Sequence, residues 1–272
     1  MDHGIHFISG LPRAGSTLLA AILRQNPRLH AGMTSPVGGL FGALLREMSQ
    51  ANEAAVFIDD AQRAAILRGV FDAYYARVHR TRTVLDTNRV WCARLPALTA
   101  LFPDARVVAC VRDVPWIINS VERLIRRNRF EPSGLFKFEP GGTVYARCEA
   151  LSGGTGLVGF AWNALREACF GEHADRLLLL TYETLCDEPA RALAAVYDFL
   201  GLPPFTHDFT HVAYDEAREF DARLGTPGLH DVGPVVRRET RRSLLPPDLF
   251  ARYEPDSFWR DPARIPAGLR VV

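Results

Sequence analysis

Residues 5 to 26, IHFISGLPRAGSTLLAAILRQN, restrict what this chain can fold into more than any other stretch. Residues 5 to 8 are mostly apolar, the mark of a buried strand. Gly10-Leu11-Pro12-Arg13-Ala14-Gly15 is a tight Gly/Pro turn. Ser16 and Thr17 then open a helix whose apolar residues are Leu18, Leu19, Ile22 and Leu23. Strand, glycine loop and helix N-terminus in that order make an anion site, because free backbone N–H groups and the helix dipole point at one spot. The spacing Gly10-x-x-x-x-Gly15-Ser16-Thr17 is that of a phosphate-binding loop with one alteration: Ser16 stands where such loops carry lysine.

The rest of the chain repeats the strand-then-helix alternation. Strands are assigned to residues 5–8, 83–86, 106–111 and 176–181, and a fifth is expected at no assigned position. Helices are assigned to 36–50, 60–79, 91–102, 113–129, 144–150, 157–173 and 189–200, with Asp113 as a cap and Pro115 in a first turn. Apolar strands alternating with helices predict a three-layer α/β/α domain around a parallel sheet of about five strands, of the P-loop nucleotide-binding type. No linker divides the 272 residues, so the chain reads as one domain. In such folds ligands gather at the carboxyl ends of the strands. Those ends carry residues 10–17, 86–89, Arg112 with Asp113, and Tyr182.

Composition narrows the partners. A net charge of +1 gives no bulk attraction for nucleic acid. Lys137 is the only lysine, so the cationic chemistry is arginine's, whose planar fork grips phosphate and sulfate through two donors at once. No apolar run approaches a membrane span, and no basic leader opens the chain. Five scattered cysteines form no CxxC pair, which suggests neither zinc nor a disulfide framework; a reduced, cytoplasmic protein is expected.

The segment GLPRAGSTLL resembles the 5′-phosphosulfate loop of sulfotransferases that use 3′-phosphoadenosine 5′-phosphosulfate (PAPS), in the branch with tyrosylprotein sulfotransferases and many bacterial relatives. That resemblance implies a loop without lysine, a donor with a single 5′-phosphate, and no metal. It places Arg13, Ala14, Gly15, Ser16 and Thr17 on the 5′-phosphosulfate. A second part matches: Arg112 ends the strand RVVACV, and Ser120 follows eight residues on, as in the family's 3′-phosphate signature. Arg112 emerges at the strand's end and Ser120 lies roughly two turns into the next helix, so charge and hydroxyl can meet one phosphate. Relatives often carry a basic residue four after that serine. Here it is Leu124, and Arg123 beside it is assigned to a different face. Tyr182 in LLLLTYETL is similar to a family tyrosine near the adenine.

Catalytic residues follow from the same resemblance. Arg89, in LDTNRVW, matches a basic residue near the transferred sulfuryl group, and fixed cations such as Arg13 and Arg89 lower the barrier where negative charge develops. The acceptor hydroxyl needs a proton acceptor. Tyrosylprotein sulfotransferases carry a glutamate just after the loop helix, whereas this chain has Met33, Thr34 and Ser35 there. His30, Glu47 and Asp86 are the substitutes. The late stretch GLHDVGPVVRRETRRSLLPP resembles a loop that closes over the donor, with His230, Arg237 and Arg238 as phosphate or adenine contacts and 205–272 as the closing segment; the run 237–242 also reads as a solvated helix face. The Gly-rich insertion 130–156, beside Arg123, Arg126, Arg127 and Arg129, is expected to be the acceptor lid.

The resulting expectation is transfer of a sulfuryl group from PAPS to a hydroxyl of a peptide tyrosine, saccharide or small molecule, releasing adenosine 3′,5′-bisphosphate. Two alternatives stay open. One is a P-loop kinase or nucleotidase with Asp86 on Mg²⁺, which the missing lysine disfavours. The other is a non-catalytic PAPS-binding protein.

Overall fold

A computed structural model describes residues 4–78, 81–139 and 142–272. Its centre is a sheet of six parallel strands in the order β2-β3-β1-β4-β5-β6. These are β1 (Ile5–Gly10), β2 (Leu29–Thr34), β3 (Thr83–Thr87), β4 (Val107–Val111), β5 (Leu177–Thr181) and β6 (Arg270–Val271). Every residue of β1, β4 and β5 is buried, as continuous apolar strands covered on both faces must be.

Two strands escape the sequence reading. β2 is an edge strand whose LHAGMT buries only Leu29 and Ala31, so its apolar signal is weak. β6 is two residues long and pairs with Leu178 and Leu179 of β5 at the other edge. The parallel sheet is therefore one strand larger than expected.

The helices assigned from the sequence are present with shifted ends, and short helices at 182–187, 218–223 and 247–253 are added to them. They are α1 (Ser16–Leu23), α2 (Val37–Glu47), α3 (Asp60–Tyr74), α4 (Leu95–Leu101), α5 (Val114–Arg127), α6 (Val144–Ser152) and α7 (Leu157–Phe170). After β5 come α8 (Tyr182–Asp187), α9 (Pro189–Leu200), α10 (Arg218–Arg223) and α11 (Pro247–Tyr253). The end expected for α3, residue 79, lies outside the described residues; the helix itself closes at Tyr74. The helix expected from Trp91 begins as a 3-10 turn, Arg89–Arg94. Asp113 does not cap α5. Its carboxylate takes the Arg260 guanidinium at 2.8 Å instead.

The chain winds outward one way through β2 and β3, and the other way through β4 to β6. The loops after β1 and β4 therefore part, which opens a crevice at the carboxyl ends of those strands. A cavity of about 970 Å³ occupies that crevice. Among the described residues no helix is long and apolar enough to cross a membrane.

Candidate active site

The loop after β1 is built by conformation as much as by composition. Gly10 has φ 98° and Gly15 φ 95°, both in the left-handed region. A Cβ on Gly10 would stand 2.2 Å from the Cys110 carbonyl oxygen, so the loop passes β4 too closely for any side chain. Arg13 also has a positive φ, 58°, a conformation that costs energy for a residue with a Cβ. That backbone sends its side chain across the crevice, where Nε donates to Ser120 Oγ at 3.1 Å. Gly15 precedes α1 without a side-chain cap, so the first N–H groups of the helix are left for a ligand.

Arg112 and Ser120 come to the same wall. Arg112 Nη1 donates to the Arg13 carbonyl oxygen at 3.4 Å, and its guanidinium carbon lies 4.1 Å above the Tyr182 ring. Stacking on Tyr182 fixes the plane of the fork. Burial, and then the facing Arg112 charge, pull the Arg13 guanidinium down to about 10. Arg13 therefore stays charged at neutral pH, beside the Arg112 guanidinium. Among the described residues no carboxylate lies within ion-pair distance of Arg13, Arg89, Arg112 or Arg123.

Arg123 corrects the sequence reading. It stands three residues after Ser120, lines the same cavity, and donates through Nη2 to the Arg242 carbonyl at 2.8 Å. Its Nε is buried without a partner. Arg237 lines the cavity from an exposed position, while Arg238 pairs with Asp187 at 3.1 Å and Arg241 with Glu239. Residues 237–242 form no helix, yet all six are exposed, so the run is solvated without being a helix face. Arg89 reaches the cavity from the turn after β3; solvent touches it, yet the protein packed around it lowers its pKa.

The three proposed proton acceptors lie elsewhere. Asp86 is fully buried and accepts from Ser35 Oγ (2.7 Å), Tyr75 Oη (2.5 Å) and Trp91 Nε1 (2.7 Å). Both its oxygens are occupied, and burial raises its pKa. It ties β3 to its neighbours and does not line the cavity. The same donors occupy the position where a kinase reading puts Mg²⁺. His30 sits on edge strand β2 with its ring against Tyr75, and Glu47 ends α2 on the exposed surface; neither lines the cavity.

A different pair does. His230 Nδ1 lies 2.5 Å from Asp221 Oδ1, and the His230 backbone N–H donates to Asp221 Oδ2 at 2.8 Å. Asp221 is 1 % exposed, and His230 lines the cavity. A carboxylate at Nδ1 selects the tautomer with the proton there, which leaves the Nε2 lone pair for the cavity. The sequence reading took His230 as a donor contact and missed Asp221 altogether. The partners are separated by the left-handed turn at Gly225, and no periodic pattern links them.

Both ends of the insertion reach the site through Gly134, Leu135, Thr155 and Gly156. The Gly134 N–H donates to the Leu224 carbonyl at 2.7 Å, Asn128 Nδ2 to the Pro227 carbonyl at 3.0 Å, and the Ser133 and Thr226 hydroxyls pair. The insertion thus clasps the turn between Asp221 and His230.

Residues 6–207 match the sulfotransferase family. The chain belongs to that family and is a sulfotransferase. Solved structures similar to it include the sulfotransferase domain from the curacin biosynthetic pathway, 17 % identical, covering 75 % of each chain at a TM-score of 0.50. Another is a sulfotransferase from Alicyclobacillus acidocaldarius, 16 % identical, covering 82 % of this chain and 91 % of that one, also at 0.50. They share its P-loop-type α/β fold. The family match ends at residue 207, so the segment carrying Asp221, His230 and Arg237 lies beyond it.

Proposed function

We propose that this sulfotransferase takes PAPS as donor and an alcohol or phenol as acceptor, releasing adenosine 3′,5′-bisphosphate. One observation carries the reading: two anion cradles, the loop after β1 and the Arg112/Ser120 wall, meet through the Arg13–Ser120 bond, and among the described residues no carboxylate lies within ion-pair distance of either arginine. A donor with phosphate groups at both ends of one ribose fits two cradles in contact. Arg123 lines the same cavity, and among the described residues its buried Nε has no partner.

The 5′-phosphosulfate falls to the N–H groups of Ala14, Gly15, Ser16 and Thr17, the two hydroxyls, and Arg13. The 3′-phosphate falls to Arg112, Ser120 and Arg123, with Tyr182 towards the adenine and Arg237 on the closing segment 205–272. When bound, PAPS supplies an activated sulfuryl group. Arg13 and Arg89 hold positive charge where negative charge builds up in transfer. His230 Nε2 takes the proton of the acceptor hydroxyl, and the buried Asp221 carboxylate stabilises the imidazolium that results. The insertion 130–156 walls the acceptor side. The whole chain acts as one domain, without a metal.

The deciding experiment pairs calorimetric titration of the bisphosphate with transfer of ³⁵S from labelled PAPS. Bisphosphate binding without Mg²⁺ and label in an acceptor are expected. His230→Gln keeps the affinity and loses roughly 100-fold or more in kcat, the ordinary share of a general base. Tighter Mg²⁺-dependent binding of ATP than of the bisphosphate overturns the donor assignment. Binding without transfer to any acceptor favours a sensor.

A further inference from the structure

Part of the wall of the cavity that Arg89 and His230 line is apolar. Phe220 and Leu224 come from α10 and the residue that ends it, Leu135 from the insertion clasped onto Leu224, and Leu157 and Phe160 from the first turns of α7. Helix α7 packs on the 3-10 turn that begins with Arg89. These side chains therefore arrive on α10, which carries Asp221, and on elements packed against the Arg89 turn and the Leu224 end of α10. Phe160 is 37 % exposed and Phe220 44 % exposed, although both face a concave space. Phenyl rings left open to water inside a cleft mark a surface that a ligand covers. The Phe220 ring meets the His230 imidazole edge-on at 5.5 Å, so a group lying on Phe220 lies beside the proton acceptor.

Polar side chains also line the cavity, Thr34, Thr155 and Asp231 among them. The two amides on the cavity wall engage the protein's own backbone, Asn88 through both ends and Asn119 through its oxygen. Asn88 accepts from the Val90 N–H and donates to the Ser35 carbonyl, and Asn119 accepts from the Leu244 N–H. Hydroxyls of a saccharide laid against the Phe160 and Phe220 rings would be desolvated without partners on those rings, which is costly.

We propose that the acceptor is a small molecule whose hydroxyl is borne on an apolar body, aryl or alkyl, seated against Phe160 and Phe220 with the hydroxyl towards His230 and Arg89. This rests on the sulfotransferase reading above. The polarity of the wall selects the body; Arg89 and His230 select the hydroxyl.

The test begins with bisphosphate binding to the whole chain. With the bisphosphate saturating, 2-naphthol, 1-octanol, N-acetylglucosamine and an acidic tyrosyl peptide are then titrated separately. The naphthol or the octanol should bind roughly tenfold or more tighter than the sugar and the peptide. Which of the two wins separates an aryl from an alkyl body. Phe220→Ser and Phe160→Ser should each weaken that binding roughly fivefold or more, with bisphosphate affinity unchanged. Both rings are partly exposed, so thermal melts of the variants should match the parent. Preference for the sugar or the peptide, or indifference to both Phe substitutions, overturns the acceptor assignment and leaves the donor site standing. Absence of bisphosphate binding overturns the underlying reading and the acceptor class with it.

Discussion

Helix α5 carries arginines on two faces, and the two faces treat charge in opposite ways. On one, Glu122 is 3 % exposed and holds Arg126 at 2.8 Å and Arg147 at 2.7 Å. The arginines there are answered by the protein and join α5 to α6 of the insertion. On the other face, Ser120 and Arg123 look across the cavity towards Arg13 and Arg112, and no carboxylate among the described residues answers them. Burying cations without counter-charges destabilises a fold, and an evolved chain keeps the arrangement only where a ligand supplies the anion. The same residue type is mortar on one face and a binding site on the other; the difference lies in who provides the carboxylate or phosphate.

The largest expected effect breaks the unanswered face. Arg112→Ala removes a fork held in plane by Tyr182, and truncating one side of a desolvated charge pair costs about 3 kcal/mol. Bisphosphate affinity should fall roughly 100-fold by calorimetry. The parent's affinity should itself weaken as salt rises, because the cradle is electrostatic. Arg126→Ala, on the answered face, should leave affinity within a factor of about two by the same comparison. Equal losses from both substitutions would erase the distinction between the faces.

A third treatment of buried charge sharpens the contrast. His6, on β1, is 7 % exposed and accepts the Arg106 N–H at Nδ1. Burial first, and then Arg106, lower its pKa from 6.5 to about 4. Arginine cannot shed its proton, whereas histidine can, so His6 escapes by staying neutral. The folded value lies below the unfolded one, so between them the unfolded chain binds more protons. The contribution of His6 is complete above pH 6.5 and is lost as pH falls towards 4. The loss reaches about 3 kcal/mol at the lower end. Urea midpoints measured from pH 7 downward should show it, and His6→Asn should flatten the slope. An unchanged slope would mean that the histidine titrates normally.

Glu122→Gln tests the answered face directly. It preserves shape and strands two arginines, of which Arg147 is largely buried and Arg126 half exposed. With that exposure discounting the usual cost, stability should fall by about 2 kcal/mol in urea, while bisphosphate affinity holds. A loss of affinity matching the loss of stability would make the two faces one network.

How much of this was legible depends on how far apart the interacting residues lie in the chain. The loop, its helix, and the pairing of Arg112 with Ser120 were readable because each is local: a turn signal, a helical pitch, a strand end. Strands β1, β3, β4 and β5 announced themselves by apolar runs. Edge strand β2 did not, because half of LHAGMT faces away from the core. Asp86 looked like a base because it ends a strand, but its three donors come from Ser35, Tyr75 and Trp91, which no spacing rule gathers. Asp113 looked like a cap, until Arg260, far along the chain, offered a charged partner. Asp221 and His230 were invisible as a pair for the same reason in reverse: the turn at Gly225 that joins them is held by the insertion. Periodicity reports burial. Pairing across a sheet end is settled only by the packed fold.

The smallest effect divides charge from hydrogen bonding within the unanswered face. Ser120 adds no charge, and its hydroxyl already accepts from Arg13 Nε at 3.1 Å. Ser120→Ala removes one neutral partner from a phosphate that Arg112 and Arg123 still hold. It also frees the Arg13 fork to turn. The net value of one hydrogen bond, about 1 kcal/mol, sets the expected loss at roughly fivefold in bisphosphate affinity. The salt dependence should match the parent's, because no ionic contact is lost; in Arg112→Ala it should be shallower. Calorimetry at two ionic strengths separates these outcomes. If Ser120→Ala costs as much as Arg112→Ala, the hydroxyl acts by holding Arg13 in place, and the two cradles must be treated as one cooperative site.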